Sequence, residues 1–397
     1  MRIGVYGGTF NPPHLGHLAA ARTVFELLKL DKLLLVPAGI PPHKELPPGS
    51  PTAEQRLEMT RLAGEQLGLG DQVETVDFEL RRAGRSYTSD TLAAIRAQYP
   101  EDELWLLMGA DMFLSFQSWH EPQTIVSLAG IAAFGRTEEN VESLFSEQRE
   151  RLYRAYPCAR LYTLDIPGVV CISSSELRDM LARGEGETLL PPAVYGYVLR
   201  FGLYGTHADL RHLSLRQLRP VALSYLKHKR IPHVLGTEQE AMKLAIRYGA
   251  DVNKARTAAL LHDCTKKLEM EEQLVLCGQY GIELDELEQH ALKLLHSKTG
   301  AEVARDVFGV DREIYTAIRW HTTGHADMTL LEKIIYLADY MEPTRDFPGV
   351  DKLRKVCYDN LDAGLELGLR MTVEEMKERG NPVHHATLEA LAYLKGK

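Results

Sequence analysis

Residues 3–17 read IGVYGGTFNPPHLGH, and this stretch decides how the first half of the chain folds. It opens with a short apolar run, turns at the paired glycines Gly7 and Gly8, and continues with helical periodicity from about Leu15 to Lys29. Adjacent glycines permit a tight turn, and the first turn of a helix points its unpaired N–H groups at whatever lies above it. The stretch therefore predicts a strand, a turn and a helix that together bind a phosphate group.

The rest of the first half repeats this alternation of strand and helix. A second helix is predicted to begin after Thr52, with Gln55 as the partner of a capping box. Strands and helices in this order indicate a Rossmann-like α/β domain, a parallel sheet with helices on both faces, whose ligands lie beyond the carboxyl ends of the strands. The six predicted strands are Ile3–Tyr6, Lys32–Val36, Val73–Phe78, Leu104–Met108, Gly130–Phe134 and Leu161–Ile166.

The pattern changes near residue 206. From Leu213 onward nearly every segment carries the helical period. The stretch Gly205–His212 is short and polar, which is typical of a linker. The sequence thus predicts an α/β domain over residues 1–206 and an all-α domain over residues 207–397.

Composition limits the class of protein. A chain of 397 residues exceeds the usual size of one domain, and 45% hydrophobic with 25% charged residues is typical of a folded globular protein. Since no apolar run approaches a bilayer span and the first residues do not resemble a signal peptide, we expect a cytoplasmic protein with no membrane partner. A net charge of −9 argues against general nucleic-acid binding. The five scattered cysteines are interpreted as reduced, mostly buried thiols.

Several polar side chains fall at the predicted crevice. His14 and His17 lie three residues apart at the start of the first helix, where both imidazoles can reach one polyphosphate. Ser174 and Arg178 stand at the start of a serine-rich helix, and Lys44 lies in a long loop. Hydroxyl, guanidinium and ammonium groups all bind phosphate, so these residues predict a phosphate cradle.

The first half also resembles a known family. Residues 14–17 carry the H-x-G-H signature of the nucleotidylyltransferases, and residues 41–44, 108–112 and 172–178 are similar to the bacterial nicotinate-nucleotide adenylyltransferases. The resemblance implies transfer of AMP from ATP to nicotinate mononucleotide, with Mg²⁺, giving deamido-NAD and pyrophosphate. A related transferase that uses pantetheine phosphate or nicotinamide mononucleotide is the alternative, because such enzymes share the H-x-G-H loop.

The resemblance also implies a role for each matching residue. His14 and His17 would meet the ATP phosphates, with His17 stabilising the transition state. Ser174 and Arg178 would hold the β- and γ-phosphates, and Lys44 would be a further phosphate ligand. The residues implied to line the nucleotide site are Gly8, Thr9, Phe10, Gly109 and Asp111. Those implied to face the nicotinate ring are Tyr87, Thr88 and Trp119.

The second half contains imidazole and carboxylate side chains within or at the ends of predicted helices. This combination suits divalent transition metals such as Fe or Mn, and six candidate ligands exceed the needs of one tetrahedral ion. Two metal ions are therefore predicted. The candidate ligands are His233, His262, Asp263, His296, His321 and Asp339. The histidines interpreted instead as surface residues are His290, His325, His384 and His385.

These ligands resemble those of the HD-domain phosphohydrolases. His262 and Asp263 match the H-D pair, and the sequences around the later ligands are similar to the YqeK-type subfamily. The resemblance implies symmetrical hydrolysis of diadenosine tetraphosphate to two ADP, with Lys266 and Arg345 as phosphate contacts or supports of the metal site. A nucleotide-sensing module that binds metal and ligand without turnover is the alternative. A homo-oligomer is compatible with either interpretation.

Overall fold

The computed structural model describes residues 1–41, 45–82, 84–135, 141–166 and 172–396. The chain divides into two compact units, Met1–His207 and Ala208–Lys397. The first unit is α/β and the second is helical, which confirms the predicted fold class. Within the described ranges, no helix combines the length and the apolar character needed to cross a membrane.

The first unit contains one sheet of six strands. They are β1 (Arg2–Gly8), β2 (Lys32–Pro37), β3 (Val73–Thr75), β4 (Glu103–Gly109), β5 (Gly130–Gly135) and β6 (Leu161–Asp165). All neighbouring strands are parallel, and their order across the sheet is β3-β2-β1-β4-β5-β6. The chain leaves β1 toward one edge of the sheet and β4 toward the other. This reversal opens a crevice beyond the carboxyl ends of β1 and β4, where ligands of such sheets bind.

All six predicted strands are present, but the first and the third differ in length. The prediction of a turn at Gly7 and Gly8 is wrong, because both glycines still pair with β2 and the turn follows them. The prediction Val73–Phe78 is wrong at its end, because β3 stops at Thr75. The chain turns at Asp77, whose carbonyl oxygen accepts the N–H groups of Leu80 at 3.0 Å and Arg81 at 3.1 Å. A local turn of this kind withdraws the backbone from the sheet, although the apolar residues on either side continue the strand-like pattern.

Helices cover both faces of the sheet. They are α1 (Leu15–Leu27), α2 (Ala53–Glu65), α3 (Thr88–Gln98), α4 (Ala110–Leu114), α5 (Pro122–Leu128), α6 (Val141–Ala155), α7 (Ser174–Ala182) and α8 (Pro192–Arg200). Leu33 and Leu35 of β2 share a buried cluster with Val24 of α1 on one face. Leu34, which points the opposite way, shares a second cluster with Leu92 of α3. The alternation of side chains along β2 therefore creates two hydrophobic cores.

The predicted capping box at the start of α2 is confirmed. Thr52 Oγ1 accepts the N–H of Gln55 at 3.2 Å, and Gln55 Oε1 accepts the N–H of Thr52 at 3.0 Å. This reciprocal pair fixes where the helix begins. It thereby sets which side chains of α2 face the sheet, and Arg56 is the first of the buried ones.

The described regular elements of the second unit are helices. They are α9 (Leu215–Leu223), α10 (Ile231–Tyr248), α11 (Val252–Leu261), α12 (Met270–Tyr280), α13 (Leu292–Phe308), α14 (Arg312–Trp320), α15 (Leu330–Met341), α16 (Val350–Asp359), α17 (Leu361–Glu378) and α18 (His385–Lys395). α14 has its apolar residues on one side, with Ile314, Ala317 and Ile318 buried. Such helices bury one stripe against their neighbours, so functional side chains on several helices can meet in the interior.

Candidate active sites

The turn after β1 holds two imidazoles side by side. His14 immediately precedes α1 and is 1% exposed, and its ring centroid lies 3.7 Å from that of His17. Nδ1 of His17 accepts the backbone N–H of His14 at 3.2 Å. A neutral histidine whose Nδ1 accepts a hydrogen bond carries its proton on Nε2. His17 is thereby held in the tautomer that can donate to a phosphate oxygen.

The start of α7 packs onto this same turn from far along the chain. Ser174 Oγ donates to the carbonyl of Pro12 at 3.3 Å, and Arg178 Nη1 donates to the carbonyl of Asn11 at 2.8 Å. Arg178 Nη2 donates to Ser175 Oγ at 3.0 Å. The predicted phosphate ligands of α1 and α7 therefore converge on one turn of backbone.

The residues implied to line the nucleotide site lie at the ends of β1 and β4. Phe10 has a φ of +47° and is buried. A Cβ atom on Gly8 would lie 3.2 Å from the Phe10 ring, and one on Gly109 would lie 3.0 Å from Asp111 Oδ1. Both glycines thus stand where a larger residue would crowd its neighbours.

Two segments meet at the place implied for the nicotinate ring. Tyr87 immediately precedes α3, which begins at Thr88, and its ring lies 4.2 Å from that of His120 between centroids. Trp119, next to His120 in sequence, lies 5.6 Å from Phe116 between ring centroids and is partly buried. His120 was not predicted, since nothing in its sequence context distinguishes it from a surface histidine.

One predicted phosphate ligand cannot be placed. Lys44, together with Pro42 and His43, lies outside the described residues. Its role therefore stays a prediction.

Sequence reasoning missed two polar side chains beside the β1 turn, the buried Arg56 and the partly buried Tyr204. Arg56 of α2 is fully buried and donates Nη1 to the carbonyl of Thr9 and Nη2 to the carbonyl of Gly39, both at 2.9 Å. The Tyr204 hydroxyl donates to Asn11 Oδ1 at 2.8 Å, and burial raises the pKa of this phenol. Arg56 shares the buried stripe of α2 with Met59 and Ala63. A charged residue within an apolar helical stripe is the sequence feature from which a role for Arg56 could have been predicted.

In the second unit the six predicted metal ligands come together. His233 Nε2 lies 3.3 Å from His262 Nε2 and 3.0 Å from Asp339 Oδ1. His296 Nε2 lies 3.1 Å from His321 Nε2. Asp263 joins these groups, because its Oδ2 lies 3.3 Å from His262 Nε2 and its Oδ1 lies 3.2 Å from His296 Nε2. The carboxylate of Asp263 therefore faces both the His233–His262 pair and the His296–His321 pair.

Hydrogen bonds fix the tautomers of the ligands and show that the cluster suits cations. Nδ1 of His262 contacts the carbonyl of Ala259 at 2.6 Å, and Nδ1 of His321 contacts the carbonyl of Ile318 at 2.7 Å. A carbonyl can only accept, so both Nδ1 atoms carry a proton, and in the neutral rings both Nε2 atoms present lone pairs. Lone pairs and carboxylate oxygens that converge at about 3 Å repel one another unless a cation lies between them. This donor set of imidazole and carboxylate fits divalent transition metals.

Burial favours the neutral form of two ligand imidazoles, whereas the hydrogen bonds to Asp339 and Glu342 raise the pKa of His233 against the opposing effect of burial. Burial lowers the pKa of His296, and together with the neighbouring His262 and His296 it holds the pKa of His321 well below the ordinary histidine value. Neutral imidazole is the form that binds metal. His233 also directs its Nδ1 to Glu342 Oε1 at 3.1 Å, a partner that orients this ring. Glu342 was not predicted, although it lies three residues after Asp339 on the same helix end.

Three cationic side chains surround the cluster. Lys266 Nζ lies 3.1 Å from His296 Nε2, and burial lowers the pKa of this lysine. Arg345 Nη2 donates to Asp339 Oδ1 at 3.0 Å. Arg230, which was not predicted, donates Nε to Asp263 Oδ2. Cations at this edge would favour a polyanionic ligand such as a phosphate chain.

A second histidine cluster differs from the metal-ligand cluster. The interpretation of His384 as a surface residue is wrong, because it is 7% exposed and precedes α18, where its Nδ1 accepts the N–H of Ala386 at 3.2 Å. That hydrogen bond leaves the proton on Nε2, which faces Glu288 Oε1 at 3.3 Å. His385, by contrast, is exposed. The tautomer of His384 suits a hydrogen bond to a carboxylate and not a metal ion.

Comparisons with known proteins match each half of the chain. Residues 5–180 match the cytidylyltransferase-like family, and residues 230–344 match the HD domain. A probable nicotinate-nucleotide adenylyltransferase of Shewanella sp. (strain MR-7) is 38% identical over 216 residues, which are 51% of this chain and 99% of that protein. Another from Pseudomonas syringae pv. tomato is 36% identical over 214 residues, 51% of this chain and 93% of that protein.

A solved structure matches the second half. It is a predicted HD superfamily hydrolase involved in NAD metabolism from Clostridium acetobutylicum, 40% identical, covering 46% of this chain and 98% of that chain with a TM-score of 0.45. The two family matches show an HD domain that follows a cytidylyltransferase-like domain in this chain.

Proposed function

The chain belongs, through its first half, to the family of nicotinate-nucleotide adenylyltransferases, and from this premise we propose that it transfers AMP from ATP to nicotinate mononucleotide. The products are deamido-NAD and pyrophosphate. The observation that carries the proposal is the convergence of His17, Ser174 and Arg178 on the β1 turn in a domain that spans nearly the whole length of its relatives.

The proposed chemistry needs no nucleophile from the protein. A phosphate oxygen of nicotinate mononucleotide attacks the α-phosphorus of ATP, a new P–O bond forms, and the bond to pyrophosphate breaks. The protein contributes positioning and charge stabilisation. Nε2–H of His17 would donate to a phosphate oxygen, and Arg178 would hold the departing phosphates. Mg²⁺ bound with ATP would neutralise part of the phosphate charge.

A substrate panel tests this proposal. The acid, the amide and pantetheine phosphate are compared as AMP acceptors by their specificity constants. A carboxylate accepts hydrogen bonds from N–H donors that an amide would meet with its own NH₂, so we expect a strong preference for the acid. Equal constants for the acid and the amide would contradict the assignment of Tyr87, Thr88 and Trp119 to the pyridine site, and transfer to pantetheine phosphate alone would replace the proposed substrate.

For the second half, we propose a phosphohydrolase that cleaves diadenosine tetraphosphate symmetrically to two ADP at a site with two divalent metals, Fe or Mn. The converging Nε2 lone pairs and the carboxylate of Asp263 between them support this proposal. Metals bound there would activate a water molecule and neutralise phosphoryl oxygens. Arg345, Arg230 and Lys266 line the same cluster and would bind the phosphate chain.

Chromatography of the products tests the hydrolase. Two ADP supports symmetrical cleavage, whereas AMP plus ATP contradicts it. Binding of the dinucleotide without turnover, with Fe²⁺ or Mn²⁺ present, would favour the sensing module instead. Asp263→Ala should abolish hydrolysis and leave adenylyl transfer intact, and Asp362→Ala is the matched control, because that exposed carboxylate pairs only with Lys333 among the described residues.

The two activities are proposed to reside in separate domains. Every residue assigned to transfer lies before residue 206, so a chain of residues 1–206 should retain transfer with unchanged specificity. A soluble, folded chain of this length without transfer activity would show that the two units depend on each other.

A further inference from the structure

Arg56 is a buried charge whose described hydrogen-bond partners are backbone carbonyl groups. Its side chain is 0% exposed, and its two terminal nitrogens donate to backbone carbonyls of Thr9 and Gly39. Among the residues that the structure describes, no carboxylate forms an ion pair with this guanidinium, and Glu54 and Glu79 attract it only from a longer distance. An unpaired buried cation is strongly unfavourable, so the contacts that retain it call for an explanation beyond packing.

The two carbonyls belong to different loops of the crevice. Thr9 lies in the turn after β1, between residues proposed to line the nucleotide site. Gly39 lies two residues after β2. The planar guanidinium has donors in a fixed fork, so it holds these two loops at a defined separation. Movement of either loop would break one of the two bonds.

The contacts continue from Gly39 toward the proposed nicotinate site. Ser86 Oγ accepts the N–H groups of Gly39 at 3.1 Å and Ile40 at 3.3 Å, and the N–H of Ser86 donates back to the carbonyl of Ile40 at 2.9 Å. A Cβ atom on Gly39 would lie 2.5 Å from the carbonyl oxygen of Glu79, so this segment is closely packed. Ser86 directly precedes Tyr87. A continuous path therefore runs from Thr9 through Arg56 and Gly39 to Ser86 and Tyr87.

We propose that Arg56 is a positioning residue that couples the ATP pocket to the nicotinate mononucleotide pocket. The inference rests on the proposed transferase function and adds a property to it. Binding of ATP fixes the position of the β1 turn. Through the guanidinium of Arg56 the loop after β2 is then held in place, and through Ser86 so is Tyr87. Each nucleotide then raises the affinity for the other by the same factor.

Calorimetry on the full chain tests the coupling. The dissociation constant of nicotinate mononucleotide is measured alone and with saturating α,β-methylene-ATP and Mg²⁺, an ATP analogue that cannot transfer its adenylyl group. We expect the analogue to tighten binding about fivefold or more in the wild type. Arg56→Lys keeps the charge but reaches the carbonyls through one nitrogen, so the ratio should fall to about one. Ser86→Ala, which removes the shared acceptor, should lower the ratio in the same way.

Two matched variants control for general destabilisation. Arg61→Lys changes a partly buried arginine of the same helix that pairs with Glu58 and Glu65, and it should keep the wild-type ratio. Ser89→Ala changes a buried serine near Ser86 whose hydroxyl has no hydrogen-bond partner in the described part of the chain, and it should also keep the ratio. If Arg56→Lys does not fold, Ser86→Ala decides the question.

The possible outcomes separate this inference from the proposed function. A wild-type ratio of one, or a wild-type ratio retained in both Arg56→Lys and Ser86→Ala, would overturn the coupling. If the wild type binds nicotinate mononucleotide under neither condition, the proposed substrate is wrong, and the result does not bear on the coupling. A ratio of dissociation constants that falls to about one in Arg56→Lys and Ser86→Ala, with both controls unchanged, would establish the coupling.

Discussion

Replacing Arg354 with alanine should loosen the loop after α15. This loop carries two side chains that hold ligands of the metal-ligand cluster in place. Arg354 Nε donates to the carbonyl of Met341, and its Nη2 donates to the carbonyls of Glu342 and Arg345, all at 2.9 Å. This loop follows α15 and contains Glu342, the partner of His233, and Arg345, the partner of Asp339. One arginine on α16 thus fixes three carbonyls of the loop.

The expected effect follows from the three lost hydrogen bonds. The Arg354 side chain is partly exposed, so water can replace part of each bond, and about 1 kcal/mol per bond is a reasonable net value. The total is about 3 kcal/mol, and since each 1.4 kcal/mol is a factor of ten, local opening of the loop should become roughly a hundredfold more frequent. Hydrolysis should fall as well, because both His233 and Asp339 lose an oriented partner.

Hydrogen exchange followed by mass spectrometry on residues 341–349 measures this effect in the full chain. The amide of Arg345, which donates to the carbonyl of Glu342 at 2.9 Å, is a direct reporter of loop opening. Arg370→Ala is the control, because Arg370 is half-exposed and pairs with Glu366 on the surface of α17. An exchange rate in Arg354→Ala within about threefold of the wild-type rate, where roughly a hundredfold increase is expected, would show that Arg354 does not hold this loop closed.

Two further predictions concern the first unit. His17→Ala should lower kcat for adenylyl transfer much more than it raises the KM for ATP, because the Nε2–H of His17 is proposed to act in the transition state; steady-state kinetics decide this, and an unchanged kcat would remove His17 from the mechanism. Glu79→Gln should stabilise the chain at neutral pH, since burial raises the pKa of Glu79 against the opposing hydrogen bond from Thr91. A raised carboxyl pKa gives stability that is present below the unfolded pKa and is lost as pH rises through the folded pKa, so the Tm advantage of Glu79→Gln should be absent near pH 4 and should grow toward pH 7. Glu74→Gln, at an exposed ion pair with Lys32, is the control, and a Tm difference for Glu79→Gln that does not change with pH would contradict the expected titration.

Local sequence signals predicted most of the architecture. The capping box at Thr52 and Gln55 depends only on residues three apart, so the start of α2 could be predicted without any tertiary information. The strands were recognised because buried parallel strands are nearly continuous in apolar residues. The error at the end of β3 arose where a turn at Asp77 interrupts an apolar stretch, which composition alone does not reveal.

Residues whose role depends on contacts far along the chain were harder to predict. His384 was misinterpreted because its burial depends on residues near Asp285 and Glu288, about a hundred positions earlier. Arg230 and Glu342 flank ligands that the sequence did predict, yet which carboxylate or imidazole they reach is decided by helix packing. Arg56 is the strongest case, since only the folded crevice brings the carbonyls of Thr9 and Gly39 to one guanidinium.

The hydrogen bonds from His262 and His321 to carbonyls three residues earlier hold both rings in place, so the cluster should select ions by their size. Each ring is locked by the last turn of its own helix, α11 or α14. Turning either ring to accommodate a larger or smaller ion would break that bond and leave a buried N–H without an acceptor. The ends of α11 and α14 therefore fix the distance between the Nε2 atoms of His262 and His321 before any ion binds. Ions that fit this distance should replace one another without a change in the backbone.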